Sequence, residues 1–439
     1  MRKFILILFL ATAAWPQITL RYCVQTALVR HPGVRLSMAE AEMARQDWRQ
    51  ARAARGPSLD MNGSYRRQST VPALRVDPIQ TPIGVIDPFP GGMELGTYDN
   101  FDFRLTLSQP LFTGFKLRER QKALEAVAES KSAEVTHSRN ELIFKVESAY
   151  AAVLRAQKYL AIAQSAREQV QMHLQDVETL LKQGMARPDE LSRVRVKVSE
   201  SDLGIVRAEN GVQMARALLT SLVGEDLPGD QEFSSLPADD LPALDLNASL
   251  EKAMAQRPEV NALDRAADAT RAGKKIAQGA RWPNLAAFGT YAYGKPGLDF
   301  IKKEWMDYWL VGAGFEWNLW SGGRTRSQVQ QAELKLTAIQ ENQHLLRDGI
   351  TLEVTQACLK LQEAAKSLTV ARELSKLAEE SYRVTRQRYQ QGQASHSDFF
   401  DAQSEWTRAQ LDAADADIEL ALAQAAWRRA VGDSDRLYR

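Results

Sequence analysis

Two cysteines and five histidines are all that 439 residues offer toward a disulfide framework or a soft-metal centre. The histidines, His31, His137, His173, His344 and His396, are scattered, with no HExxH stretch and no cysteine–histidine cluster at zinc spacing. Gly312 and Gly314, either side of Ala313, lack the rest of a dinucleotide fingerprint and fall in a strand pattern. No catalytic residue, metal or cofactor is therefore expected, and the enzyme reading is set aside. Cys23 and Cys358 sit at non-equivalent places and are expected as two buried free thiols. Charge excess is lacking too: 56 Lys and Arg against 55 Asp and Glu give a formal +1 and no basic footprint for nucleic acid.

Long apolar runs are also missing. Nothing beyond the start reaches the roughly 18 consecutive apolar residues of a transmembrane helix. Residues 1–14 read as a signal peptide: Arg2 and Lys3, then the apolar stretch Phe4–Leu10, then Ala11-Thr12-Ala13 as a small-residue cleavage site. Without Arg2 and Lys3 the formal charge becomes −1. Leu20-Arg21-Tyr22 ahead of Cys23 are not the small residues that a lipid-modified N-terminal cysteine requires.

Proline and glycine are absent from residues 115–183, and 323–391 holds, past Gly323, only Gly349. That excludes turns over two very long stretches. Leu117, Leu124, Val135, Leu142, Val146, Val153, Leu160 and Val170 recur at spacings close to multiples of seven, four and three, a coiled-coil seam with interruptions. At about 1.5 Å per residue each helix would be roughly 100 Å long. Gly184 and Gly392 end them, and return helices are expected over 188–224 and 395–431.

What is present is a chain written twice. Ala27, Pro32, Pro57, Leu59, Gly63 and Tyr65 recur 226 residues later as Ala253, Pro258, Pro283, Leu285, Gly289 and Tyr291. Further on the offset is 208: Leu111, Gly114, Ala149, Gly184 and Gly224 return as Leu319, Gly322, Ala357, Gly392 and Gly432. Such a repeat fixes the architecture before any local reading does. The first repeat covers 15–224 and the second 247–439, with a Pro- and Asp-rich linker over 225–246. Each opens with an amphipathic helix (18–56 and 247–281) that proline ends at Gly56-Pro57 and Trp282-Pro283.

The period then changes to two. Leu59, Met61, Gly63 and Tyr65 alternate with polar residues, as do Phe101, Phe103, Leu105 and Leu107, giving strands over 58–67 and 99–110 with one apolar and one polar face. The second repeat has counterparts over 284–294 and 307–318, less clean because Ala286, Phe288 and Leu310 fall on the polar face. Trp305, Tyr308, Trp309, Trp317 and Trp320 crowd this pair, matching the interfacial aromatics of outer-membrane barrels. Residues 68–98, with five prolines, read as an irregular surface loop.

The fold class is thus mainly α with a β-barrel part, built from a duplicated αββαα unit. Four strands cannot close a barrel, and an open edge in lipid leaves backbone groups unpaired, so copies must associate. Periodicity alone does not choose among two, three or four.

With these features the chain resembles the TolC-like outer-membrane efflux proteins. The carriers are Leu20 to Pro32 and its partner ending at Pro258, Pro110-Leu111-Phe112-Thr113-Gly114 and its copy Asn318-Leu319-Trp320-Ser321-Gly322-Gly323, and the two glycine turns. The resemblance implies a homotrimer with a twelve-stranded β-barrel in the lipid of the outer membrane, continuous with a periplasmic α-helical barrel. It implies passive export of substrate from an inner-membrane pump through a periplasmic adaptor. The competing reading is a periplasmic coiled-coil adaptor or scaffold without a pore, which has no need of duplicated lipid-facing strands.

The resemblance also puts the adaptor-docking and gating surface at the hairpin tips, here Gly184, Arg187, Tyr389, Gly392 and Ser397. Asp398 and Asp401, three apart on one face, resemble an acidic ring at the entrance, and Ser395 with Asp398 fits a capping box. Glu190 and Arg193 are their counterparts at offset 208, so the four sum to −2 per chain and −6 per trimer. Arg193 is expected to pair with Asp398 or Asp401 of an adjacent hairpin. The family's lock arginine is Ala394 here, which leaves the closing contacts open to rewiring.

Overall fold

The computed structural model of the chain describes residues 18–228, 232–236 and 245–438. The expected signal peptide lies outside them, as do residues 229–231 and 237–244 of the linker. The described chain divides into two compact units. One comprises the chain up to Glu40 with Lys131–Ala262 and Gln343 onward; the other comprises Ala41–Ser130 and Leu263–Asn342.

In chain order the elements are α1 (Leu20–Arg30), α2 (Pro32–Ala53), β1 (Ser58–Arg67), the short strands β2 (Ala73–Leu74), β3 (Ile79–Thr81), β4 (Gly84–Ile86) and β5 (Met93–Glu94), β6 (Asp99–Phe112), α3 (Lys116–Lys182) and α4 (Pro188–Val223). Then follow α5 (Leu246–Gln256), α6 (Pro258–Gly279), β7 (Asn284–Lys295), β8 (Met306–Glu316), α7 (Arg324–Gln390) and α8 (His396–Ala430). The bounds of α1 and α2 reappear 226 residues later in α5 and α6, and those of α3 reappear 208 later in α7.

Each opening helix, expected as one, is two. His31 and Arg257 leave the helix with ψ near 125° because a proline follows each and its ring disfavours helical backbone before it. The 68–98 loop is not wholly irregular: Ala73 pairs with Glu94, and Ile79–Thr81 with Gly84–Ile86. Strands of two or three residues are too short to leave a period in the sequence, and the prolines flank them.

Among the buried clusters of the helical unit, two are related by the repeat. The larger gathers Cys23, Val24, Ala27, Leu142, Val146, Ala149, Tyr150 and Val153. The smaller gathers Ala253, Ile350, Val354, Ala357 and Cys358, each at the offset of a residue in the first. The Tyr150 hydroxyl lies within hydrogen-bond reach of the carbonyls of Ile18, at 2.8 Å, and Ser234, at 2.7 Å. Both cysteines are buried and free, and burial pushes the Cys23 thiol up to about 12.

The other unit carries an antiparallel sheet in the order β1-β6-β7-β8. Ser58 faces Ser108 in the first hairpin and Asn284 faces Glu316 in the second, which are the same pair moved by 226 and 208. β6 and β7 join the hairpins, with Leu105 opposite Tyr291. The register slips between Pro110 and Phe112, where proline has no N–H for the ladder and a bulge absorbs Leu111.

After the bulge the chain turns at Gly114, whose φ is +61°. A Cβ there would lie 2.4 Å from the Gly279 carbonyl and 2.8 Å from Trp282, and a Cβ on Gly279 would lie 2.5 Å from the Gly114 carbonyl. Two backbones touch there because neither residue has a side chain. Gly114→Ala combines left-handed strain with overlap against backbone and should cost about 2–4 kcal/mol. Gly184→Ala, with φ +71° but nothing within 4 Å, should cost only about 1 kcal/mol. Thermal unfolding of the detergent-solubilised protein compares the two, and equal losses would show that the backbone contact contributes nothing.

Candidate functional site

Two features stand apart from ordinary packing, the helix-hairpin tips in one unit and the uncovered sheet in the other. At the tips α3 and α7 end alike. Met185 donates its N–H to the Leu180 carbonyl at 2.9 Å, and Gln393 donates to Arg388 at 2.8 Å, around Gly184 and Gly392 at φ +71° and +72°. This is the six-to-one closure that a left-handed glycine permits.

The return helices begin differently. In α8 the Ser395 hydroxyl accepts from the Asp398 N–H at 3.2 Å while Asp398 accepts from the Ser395 N–H at 2.8 Å, a reciprocal cap. That backbone donor holds the Asp398 carboxyl below its usual range. In α4, Pro188 occupies the first turn and Glu190 accepts from the Arg187 N–H at a long 3.4 Å. Asp401 lies one turn beyond Asp398 and is exposed.

Arg193 reaches Asp189 of its own helix, 3.7 Å away, and Arg187 reaches the same carboxylate at 3.1 Å. Within one chain, then, Asp189 and not Asp398 or Asp401 is the acid facing Arg193. An acid four residues back on the same helical face is always within reach. Gly184, Arg187, Gly392 and Ser397 are exposed. Tyr389 is not a free docking side chain, since its ring packs 4.9 Å from His173 and 5.7 Å from Phe399.

That contact belongs to a cluster that the scattered histidines did not suggest. His173 on α3 is 2 % exposed and stacks on Phe399 with ring centroids 4.0 Å apart. Its Nε2 lies 3.2 Å from Nδ1 of His396 on α8, so one neutral ring donates to the other. Phe400 meets both imidazoles edge-on, and Tyr382 stacks on Trp406 at 5.0 Å. Burial, and secondarily His396 and Arg386, lower the His173 pKa to about 3. His396 is lowered too by burial, with Glu190 opposing the shift and Arg193 adding to it. The two residues are 223 apart in sequence; only antiparallel packing of one repeat's long helix on the other's return helix could have signalled the pair.

In the sheet, register and alternation sort the side chains. Met61, Leu105, Tyr291 and Trp309 form one row, and Leu59, Leu107, Gly289 and Val311 the next. The opposite face carries Asn62, Arg104 and Tyr308 in one row and Asp60, Thr106, Thr290 and Leu310 in another. Tyr308 and Trp309, grouped together from sequence, therefore point to opposite faces, as adjacent strand residues must. All ten residues of β1 are exposed, and Trp309, Val311 and Phe315 are each about three-quarters exposed.

Aromatics mark both ends of this face. Trp305 lies against Phe101 at 5.3 Å and Tyr293 at 4.9 Å near the 68–98 loop. Towards α7, Trp317 donates Nε1–H to the Arg281 carbonyl at 3.1 Å, and Trp320 is 87 % exposed. Among the described residues no helix is long and apolar enough to cross a membrane, and no three His, Cys, Asp or Glu side chains converge for a metal.

The chain is 26 % identical to outer membrane protein TolC of Vibrio cholerae over 212 residues, 46 % of this chain and about half, 47 %, of that protein. It is 22 % identical to the outer membrane efflux protein BepC of Brucella suis over 340 residues, covering 75 % of this chain and 73 % of BepC. Its fold matches the CmeC outer membrane channel of Campylobacter jejuni with a TM-score of 0.80 at 17 % identity, over 94 % of this chain and 86 % of that one. The outer membrane efflux protein profile matches residues 23–225 and 238–433. An exposed two-faced sheet joined to long glycine-capped helices thus meets a profile spanning nearly the whole chain, which belongs to the outer membrane efflux protein family and so resides in the outer membrane with a periplasmic extension.

Proposed function

We propose that three copies of this chain form the exit duct of an envelope export system, taking substrate from an inner-membrane pump through a periplasmic adaptor and releasing it passively. One observation carries this reading: the sheet exposes an apolar face, and its edge strands β1 and β8 have no second strand partner among the described residues. An apolar face without a covering layer suits lipid, and open edges in lipid require closure by another chain. Three sheets of four strands make a twelve-stranded barrel. The aromatics at the two sheet ends, Trp305 and the pair Trp317 and Trp320, with Trp309 on the apolar face, fit the two membrane–water interfaces.

The duplication supplies the closing register. Moving the β6–β7 pairing by 208 and −226 sets Phe315 opposite Gly63, and Ala313 opposite Tyr65, of the next copy. Both pairs share the apolar face, and Phe315 over Gly63 repeats the Leu107–Gly289 pairing.

At the tips, Asp398 and Asp401 with Glu190 and Arg193 would line the entrance, and a ring of net negative charge favours cations. The exposed turns at Gly184, Arg187, Gly392 and Ser397 would dock the adaptor. The test is planar-bilayer conductance of the purified protein beside Asp398→Asn/Asp401→Asn. Small cation-selective openings that widen or lose selectivity in the variant are expected. Unchanged conductance removes the ring, and well-folded protein with no conductance at all removes the duct. Arg193→Ala belongs in the same series: its resting conductance should rise if Arg193 helps hold the entrance shut, and an unchanged value removes that role.

A further inference from the structure

We infer that a cationic belt at the periplasmic end of the sheet is a headgroup site for anionic phospholipid, with Arg55 and Arg118 on one phosphate and Leu111, Phe112 and Phe115 along the start of an acyl chain. The inference rests on the reading above that the apolar face of the sheet meets lipid, and it names the lipid at one end of that face.

All four helix–strand junctions lie at this end. α2 and α6 lead into β1 and β7 there, and β6 and β8 leave there for α3 and α7. Gln109 donates to the Arg55 carbonyl at 3.0 Å and Trp317 to the Arg281 carbonyl, which ties neighbouring junctions together. Residues 48–57, 113–124, 269–283 and 317–328 hold thirteen lysines and arginines against one acid, Glu119. The whole chain is formally only +1, so the remainder is acidic and the near-neutral sum conceals a belt of one sign. Glu119 already meets Lys122 at 3.1 Å. Like charges so gathered repel one another, and an anionic lipid surface relieves that repulsion. The exposed Trp317 and Trp320 adjoin the belt, which sets it at headgroup depth.

Within the belt one phosphate has a seat. Arg55, Leu111, Phe112, Phe115 and Arg118 line a cleft of about 310 Å³. Arg55 donates to the Gln121 side chain at 2.7 Å, and among the described residues neither arginine makes an ion pair. Two guanidinium groups present paired N–H donors that match phosphate oxygens. Leu111 and Phe115 beside them are each more than half exposed. An apolar wall next to two arginines complements a glycerophospholipid rather than a free anion. The surplus of cations also disfavours headgroups that carry an amine with their phosphate.

Phe115 is held in that wall at a cost. Its φ is +64°, in the left-handed region that side chains other than glycine rarely enter. At offset 208 its counterpart is Gly323, with φ +87°. The first repeat thus keeps an aromatic ring where the backbone suits glycine, and the ring meets Phe112 edge-on at 5.4 Å. A ring left half exposed returns little packing for that strain; an acyl chain laid against it supplies the missing contact.

The test is native mass spectrometry of the full-length protein released from detergent micelles doped with phosphatidylglycerol or with phosphatidylcholine, which has the same phosphate but no net charge. Wild type should retain phosphatidylglycerol at least about tenfold over phosphatidylcholine. Arg55→Gln/Arg118→Gln should bring the two lipids level, whereas Arg207→Gln/Lys366→Gln, which removes two exposed cations from helices outside the belt, should leave the preference intact. A preference that survives the first pair, or falls equally with the second, overturns the site. Displacement of phosphatidylglycerol by an equal concentration of inorganic phosphate would mark an anion site without the lipid and overturns it too. Phe115→Gly relieves the strained backbone, so it should fold at least as stably as wild type and yet retain less phosphatidylglycerol; unchanged retention overturns the acyl-chain contact. Vesicle flotation separates this inference from the reading beneath it. Equal retention of both lipids by protein that floats with phosphatidylcholine vesicles overturns the belt and leaves the lipid-facing sheet standing, and protein that floats with vesicles of neither lipid overturns both.

Discussion

Leu105→Arg is expected to abolish stable insertion into the outer membrane, whereas Thr106→Arg, one residue along the same strand, leaves it intact. Leu105 lies mid-strand in the row with Met61, Tyr291 and Trp309, and Thr106 shares the opposite row with Asp60 and Thr290. An arginine on the lipid face near the bilayer midplane costs about 2–4 kcal/mol, and on the lumen face far less. The face opposite Leu105 already holds Arg104, which pairs with Asp102 at 2.7 Å. In a trimer the penalty falls three times on one closed barrel, enough to remove a marginally stable assembly. Outer-membrane fractionation with heat-modifiability on gels reads the outcome. Equal tolerance of both substitutions would mean that the apolar row does not face lipid.

The second large effect is a loosening of the tip cluster on acidification. His173 is held neutral, with its pKa lowered to about 3 chiefly by burial, whereas a solvated histidine titrates near 6.5. The sign follows from proton counting. Between those values the opened state binds a proton that the packed state refuses, so the packed state loses stability as pH falls below about 6.5 and is fully stabilised above it. At pH 5 the loss is about 2 kcal/mol, some thirtyfold in the open fraction.

His396, Arg386, Glu190, Arg193 and Asp176 all face this cluster or act on it. Arg386 is part of the lowering at His173, while at His396 Glu190 favours the charged ring and Arg193 opposes it. Amide hydrogen exchange over residues 170–195 and 385–405 at pH 7.5 and pH 5 measures the opening, with Trp406 fluorescence as a local reporter through its stacking on Tyr382. His173→Phe keeps the aromatic stack on Phe399 and removes the titrating group, so it should flatten the pH dependence. A dependence that persists in that variant would place the titration elsewhere.

Much of the molecule could be read from residue order because its signals are short-range or periodic. Prolines at 57 and 283 end helices wherever they occur, since the missing N–H and the ring act on adjacent backbone. Alternation through Leu59–Tyr65 and Phe101–Leu107 gives strands with two unlike faces, because side chains on a pleat alternate without reference to anything distant. The duplication was visible as two constant offsets. Parity would also have parted Tyr308 from Trp309, but the aromatic crowding around Trp305 and Trp317 obscured it. The break before Pro32 was equally local, and the strong amphipathic pattern around it masked it.

Other features depend on which surfaces meet. His173 and His396 are unremarkable one at a time, on a long helix and at a helix start; their pairing exists only because α3 of one repeat lies against α8 of the other. Tyr389, named from sequence among the tip residues, is half-buried for the same reason. Arg193 was expected from sequence to meet Asp398 or Asp401 of an adjacent hairpin, and within one chain helical geometry sets Asp189 beside it. Residue order by itself determined the elements, the two-faced strands and the repeat, since propensity, periodicity and proline chemistry act over a few residues. Only the tertiary structure decided which helix covers which and which charges and rings meet, because contacts between residues hundreds of positions apart depend on how complete helical faces pack.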